Sequence, residues 1–221
     1  MNASGKILHV CSLYAHIPPF LEFMERNFDD FQDRHIFFMH GDRDKHSCPD
    51  RPNIIFAGRG KVSNIRFLIR LAKSINQAEK IILHGLFNKN IVRLLAFSPW
   101  VHKKCYWVIW GGDLYIHNAR NKNWQHRKNE WLRRFVISRL GHFVTYIKGD
   151  YELAQQWYGA HGEYHECLMY PSNLFDPRII QCGEAEEKTH SGLNILVGNS
   201  ADPSNHHIEI LQKLLPYKEQ D

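Results

Sequence analysis

The chain has 221 residues, 43% hydrophobic and 23% charged, with a net charge of +5 when histidine is neutral. This fits one large soluble domain, or one domain and part of another, and no apolar run is long enough to span a bilayer. The basic bias, which the 15 His increase in mild acid, fits an anionic partner such as a phosphate, a nucleic acid or a membrane surface.

Five cysteines (Cys11, Cys48, Cys105, Cys167, Cys182) are scattered and form no CxxC pair. They suggest neither a disulfide framework nor a zinc site. A reducing, cytoplasmic compartment is expected, with Cys11 and Cys105 as small core residues. Ile7 to Val10 is too short for the apolar part of a signal peptide.

In chain order, Lys6–Cys11 reads as a first strand. Pro19 opens a helix in which Phe20, Phe23, Met24 and Phe28 recur at helical spacing. His35–Met39 is a second strand, Asp42–Pro52 a polar loop, and Asn53–Ala57 a short third strand. The Gly58–Lys61 turn that follows has the wrong spacing for a P-loop. Val62–Ile75 is an amphipathic helix, with Ile65, Leu68, Ile69 and Leu71 or Ala72 on the apolar face and Arg66, Arg70 and Lys73 opposite. Lys80–His84 is a fourth strand and Asn90–Phe97 a short helix.

Next comes the central strand, Tyr106–Trp110, aromatic and β-branched and stopped by Gly111-Gly112. Asp113 follows at once. Ligands of open α/β sheets sit beyond the carboxyl ends of strands, so an acid here is placed for chemistry; the alternative is an N-cap of the next segment. Strands alternating with helices imply βαβ units and a Rossmann-like α/β fold with a parallel sheet over about Lys6 to Pro177. The first strand-to-helix turn lacks GxGxxG, which argues against a nicotinamide or flavin cofactor.

Asn118–Leu140 changes character. Seven basic residues face a single acid, Glu130, and Trp124, Trp131, Leu132, Phe135, Val136 and Leu140 interleave at helical spacing. A core helix with a solvated basic face and a membrane-surface helix both fit, the latter pointing Trp124, Arg127, Lys128, Trp131, Arg133 and Arg134 at an anionic bilayer. Nucleic acid is disfavoured, because no recognition module is visible.

Phe143–Ile147 is the next strand, and Gly149-Asp150 starts a helix that runs through Tyr158. Tyr164–Tyr170 is irregular or a strand. Gln181–Ser191 is a polar, acidic linker between residues 1–180 and 192–221. Beyond it, the strand Gly192–Val197, the loop Gly198-Asn199-Ser200 and a helix from Asp202 to about Leu215 make a phosphate site of backbone N–H groups at a helix N-terminus. Asp202 before Pro203 is a plausible N-cap.

The stretches Leu83–Asn88 (LHGLFN), Trp107–Tyr115 (WVIWGGDLY) and Ile195–Ile208 (ILVGNSADPSNHHI), with Tyr170-Pro171-Ser172, resemble glycosyltransferase family 56, the enterobacterial 4-acetamido-4,6-dideoxygalactose transferases. The resemblance runs from about Ile7 to Leu215. It implies a GT-B fold of two facing Rossmann-like domains and no metal or cofactor. It also implies transfer from a TDP-sugar to a polyprenyl-diphosphate-linked saccharide on the cytoplasmic face of the bacterial inner membrane, as a peripheral protein. Family members continue past the Gly-Asn-Ser unit into a full donor-binding domain, so most donor contacts, and turnover by this chain alone, are expected to be missing.

Residues 1–180 are then the acceptor side. Asp113 and His84 are the expected proton-handling groups, with Asn88, Gly111, Gly112 and Tyr115 around the acceptor. Gly198, Asn199 and Ser200 are expected to hold the donor diphosphate. The alternative is a non-catalytic Rossmann-like module that keeps only the acceptor and membrane face.

Overall fold

Both faces of a parallel sheet are covered by helices, so its strands are short, continuous apolar runs rather than alternating ones. The computed structural model describes residues 5–58, 60–118, 124–170, 197 and 206–217. The chain divides into two compact units, Met1–Leu174 and Phe175–Asp221.

The first unit holds strands β1 (Ile7–Ser12), β2 (His35–His40), β3 (Ile54–Phe56), β4 (Lys80–His84), β5 (Cys105–Val108), β6 (His142–Val144) and β7 (Glu163–His165). They form one sheet in the order β3-β2-β1-β4-β5-β6-β7, and every neighbouring pair is parallel. The chain steps outward from β1 to β3, crosses back to β4, and then steps the other way to β7. This is the α/β, Rossmann-like architecture expected from the strand–helix alternation.

The pleat sorts each strand between two cores. Phe37 and Met39 of β2 pack with α1 (Ile17–Asn27) and α2 (Phe31–Arg34) through Phe20, Leu21, Met24 and Phe31. Phe38, one residue out of phase, joins the larger core on the other face. There it meets α3 (Lys61–Gln77), α4 (Lys89–Ala96), α5 (Trp124–Ile137) and α6 (Lys148–Tyr158). Cys11 and Cys105 are buried in these cores, as expected, and burial pushes both thiols up, Cys105 to about 12.

Three expectations change. The first helix begins at Ile17, and its buried stripe is Ile17, Phe20, Leu21 and Met24, while Phe23 and Phe28 are exposed. In α3 the buried residues are Phe67, Leu71 and Ile75, whereas Ile65 and Ile69 face solvent with Val62. The helix has two candidate apolar stripes, and Phe67 decides between them by meeting Phe38 edge-on at 5.4 Å. A 3-10 turn, Pro99–Lys104, also precedes β5.

In the second unit the described residues form α7 (His207–Leu214) and a 3-10 turn, Leu215–Tyr217. The linker Gln181–Ser191, the strand from Gly192 (of which Val197 alone is described), the Gly198–Ser200 loop and the helix start at Asp202 lie outside the described residues.

Close backbone approach fixes the start of β6. A Cβ on Gly141 would sit 2.1 Å from the Lys103 carbonyl oxygen, whereas one on Gly149 in the first turn of α6 would meet nothing nearer than 4.0 Å. Gly141→Ala is expected to destabilise the fold by about 2 kcal/mol or more, and Gly149→Ala to stabilise it by about 0.5 kcal/mol. Urea denaturation of the two variants measures both.

Candidate functional site

The carboxyl ends of β4, β5 and β6 converge on the loop Trp110–Tyr115, and Asp113 is the residue that holds it. Its side chain is 0% exposed. One carboxylate oxygen accepts from the backbone N–H of Leu86 at 2.8 Å and from the Trp107 indole at 2.7 Å; the other accepts from the Trp110 N–H at 2.9 Å. All three partners are N–H donors, which suits the ionised, acceptor-only carboxylate. Burial pushes the Asp113 carboxyl up, and the three hydrogen bonds and the Arg133 charge push back.

Arg133 completes the brace. It reaches from α5 to donate to the carbonyls of Leu86 and Asp113, and its Nε lies 3.1 Å from Glu130 Oε1. Glu130 in turn accepts from the Tyr158 hydroxyl of α6 at 3.0 Å. This corrects two expectations. Asp113 is neither a base at the rim nor an N-cap, because both of its oxygens are consumed inside the fold. Arg133 is not membrane-facing: it is 5% exposed and turned into the loop.

Glycine is needed at two turns here. Gly85 (φ 84°) and Gly111 (φ 66°) adopt left-handed conformations that allow the chain to turn directly off β4 and beyond β5. Gly112 lies against the Phe87 ring, and Asn88 caps α4 by accepting from the Asn90 N–H at 2.9 Å. Neither Gly112 nor Asn88 lines the cleft described next.

That cleft, about 500 Å³, opens between the ends of β5 and β6 and the segment after β7. Its lining includes Gly111, Tyr115, Thr145, Asp150, Cys167 and Tyr170. Gly111 and Tyr115 are therefore placed together, as expected. The carboxylate that reaches the cleft is Asp150, only 7% exposed, which accepts from the Tyr115 hydroxyl at 3.0 Å. That bond is the main cause that raises the Tyr115 phenol above its usual value. Asp150 was readable as an acid in the first turn of the helix after a strand, a position that reads first as a helix-start residue and so masked it.

His84 does not reach the cleft itself. It is 4% exposed and belongs to a buried row in which His35 Nδ1 meets His9 Nε2 at 2.9 Å and His9 Nδ1 meets His84 Nε2 at 3.0 Å. His84 Nδ1 then meets the Tyr170 hydroxyl at 2.6 Å. The row is self-consistent with neutral rings, each donating to the next. Burial, with His16 nearby, pushes His84 down to about 3, and burial also holds His9 well below the usual range. The rim above is aromatic: His16 packs on Trp110 at 3.9 Å between ring centres, and Trp110 on Tyr170 at 4.8 Å. His84 is thus a support behind Tyr170 and not a base at the surface.

A family model described as 4-alpha-L-fucosyltransferase, glycosyl transferase group 56, matches residues 6–218. The chain belongs to glycosyltransferase family 56. It is a transferase that uses a nucleotide-sugar donor and an acceptor, and the matched residues include Trp107–Tyr115, which carry the braced loop and one wall of the cleft. Gly198, Asn199 and Ser200, expected to hold the donor diphosphate, lie outside the described residues.

On α5, Trp124 and Trp131 are 71% and 65% exposed, and Arg127, Lys128 and Arg134 are exposed beside them. The exposed Val62, Ile65 and Ile69 of α3, with Arg66, Arg70 and Lys73, lie in the same helical layer. Helix α3 contains no acid, and the one acid of α5, Glu130, is bound to Arg133 and Tyr158.

Removing the Asp113 charge takes away a negative group that faces Arg133, whose ion pair with Glu130 remains, and sets an amide against N–H donors. Asp113→Asn is expected to cost about 3 kcal/mol of stability, read from the urea midpoint, rather than to leave the fold untouched.

Proposed function

We propose that this family 56 member transfers 4-acetamido-4,6-dideoxy-D-galactose from a TDP-sugar to a polyprenyl-diphosphate-linked saccharide, in enterobacterial common antigen synthesis. Its seven-stranded sheet is the acceptor-side domain of a GT-B enzyme, within residues 1–180, and Gly198-Asn199-Ser200 cradles the donor diphosphate. The observation that carries the assignment is the cleft beside the family motif, with one buried carboxylate, Asp150, aimed into it beside Tyr115.

The chemistry follows from that pair. The acceptor hydroxyl attacks the anomeric carbon of the donor, the bond from that carbon to the diphosphate oxygen breaks, and TDP leaves with the electron pair. The hydroxyl proton passes to Asp150, which Tyr115 orients through its hydrogen bond. A carboxylate that is nearly buried at the wall of a largely apolar cleft is suited to this role. Gly111, without a side chain, lets the acceptor sugar approach the backbone.

Transfer is assayed with a TDP-sugar labelled in its sugar and a polyprenyl-diphosphate disaccharide. In a full-length family member with a complete donor-binding domain, labelled lipid is the expected product, and its formation should fall about a hundredfold when the residue matching Asp150 is changed to Asn with the fold intact. Acceptor binding at the cleft without any transfer selects the non-catalytic binding module. Unchanged turnover in that variant removes Asp150 from the mechanism.

The same proposal places the protein on the cytoplasmic face of the inner membrane as a peripheral protein. The α5 stripe of Trp124, Arg127, Lys128, Trp131 and Arg134, together with the α3 stripe, presents aromatic and aliphatic side chains among cations, which matches anionic headgroups over acyl chains. Each basic residue at such a surface is worth about 1 kcal/mol. Reversing Arg127, Lys128 and Arg134 to Glu should weaken binding to phosphatidylglycerol vesicles at least about tenfold, and added salt should weaken the unaltered protein. Sedimentation with vesicles reads both effects.

A further inference from the structure

A second cluster lies on β6 and β7, apart from the residues used above. Phe143 faces the core shared with α6, so the alternation of the pleat turns His142 to the opposite face of the sheet. The parallel register sets His142 directly across from Glu163, and His165, two residues further along β7, returns to the same face. Three potential ligands thus meet on one face of the sheet edge.

Their atoms are close enough to share one ion. His142 Nδ1 lies 3.0 Å from His165 Nε2, and Glu163 Oε2 lies 3.4 Å from the first and 3.8 Å from the second. A tetrahedral Zn2+ with bonds of about 2.0–2.1 Å separates its ligand atoms by about 3.3 Å. A triangle with the observed edges has a centre about 2 Å from all three corners, so an ion enters with the ligand atoms nearly where they already stand.

The surroundings support the same reading. Tyr106 stacks flat on the His142 ring, 3.9 Å between centres and 6° between planes, which fixes the direction of its lone pair. The side chains of His142, His165 and Glu163 are 20%, 34% and 66% exposed, so an ion has a path from solvent and a fourth position for water. Lys80 holds its ammonium 5.8 Å over the Tyr106 ring, and its charge acts on His142 from there.

We propose that His142, Glu163 and His165 bind one divalent transition-metal ion, Zn2+, as a clamp between β6 and the edge strand β7. Two imidazoles and one carboxylate suit Zn2+ and not Mg2+ or Ca2+, which take oxygen ligands. The clamp is structural. Strands β6 and β7 have three residues each, and their continuations carry Thr145, Tyr146 and Cys167–Tyr170 into the cleft wall. An ion that fixes the strands steadies that wall without taking part in transfer.

The test is calorimetric titration of Zn2+ into the metal-free chain, with Mg2+ as control, together with thermal melts. One Zn2+ per chain with a Kd of about 1 μM or tighter, no response to Mg2+, and a Tm raised by about 5 °C at a hundredfold excess over Kd support the clamp. The double variant His142→Asn/His165→Asn, whose side chains are part-exposed, should lose this site and the Tm response. Glu163→Gln should weaken it more than about tenfold and serves alone should the double variant not fold. Zn2+ binding that is equal in the wild type and these variants, or no binding in the wild type, overturns the proposal.

Discussion

A single buried carboxylate organises the business end of the sheet. Asp113 draws together the turn after β4, the indole of β5 and the loop that leaves it, using both oxygens and three N–H donors. A lone charge at that depth would be costly to bury; Arg133 is brought in from α5 to face it, and Glu130 and Tyr158 complete the set. Arg133 and Glu130 sit on α5 and Tyr158 on α6, so the network fixes both helices against the strand ends. One wall of the cleft, Gly111 and Tyr115, is what this brace holds in place.

Behind the other wall stands a different kind of support. The row His35–His9–His84 crosses β2, β1 and β4 beneath the aromatic rim and ends on the Tyr170 hydroxyl. Its rings are packed among Phe20, Phe31 and Phe37, surroundings that disfavour the charged form. The row therefore works as a set of oriented dipoles, and it ties the segment after β7 to the centre of the sheet. The cleft is framed by two polar networks, one charged and one neutral, on opposite faces of the same sheet.

The sheet was legible in the sequence because its strands are short apolar runs separated by Gly, Pro and polar loops, and because both faces are buried. Helix faces were less so. In α3, Ile65 and Ile69 repeat as well as Phe67, Leu71 and Ile75 do, and only contact with Phe38 picks the buried set. Arg133 looked like one more cation in a basic helix, since composition does not say which way a side chain points. Asp113 and Asp150 each follow a strand; burial and partners give the first to the fold and the second to the cleft. His142, Glu163 and His165 form no local motif, because strand register alone brings together residues 23 apart.

The strand order also bears on how the chain assembles as it emerges from a ribosome. From β4 onward each strand pairs with the strand made just before it, so that half of the sheet can be added stepwise with short loop closures. The seam between β1 and β4 is different: Leu8 must wait for Ile81, after β2, β3 and α3 have been made. Until then β1 has an open edge on that side. Closing that one seam, between the first strand and the fourth, has the longest entropic reach of the strand pairings in the unit, and everything that forms the cleft comes after it in the order of synthesis.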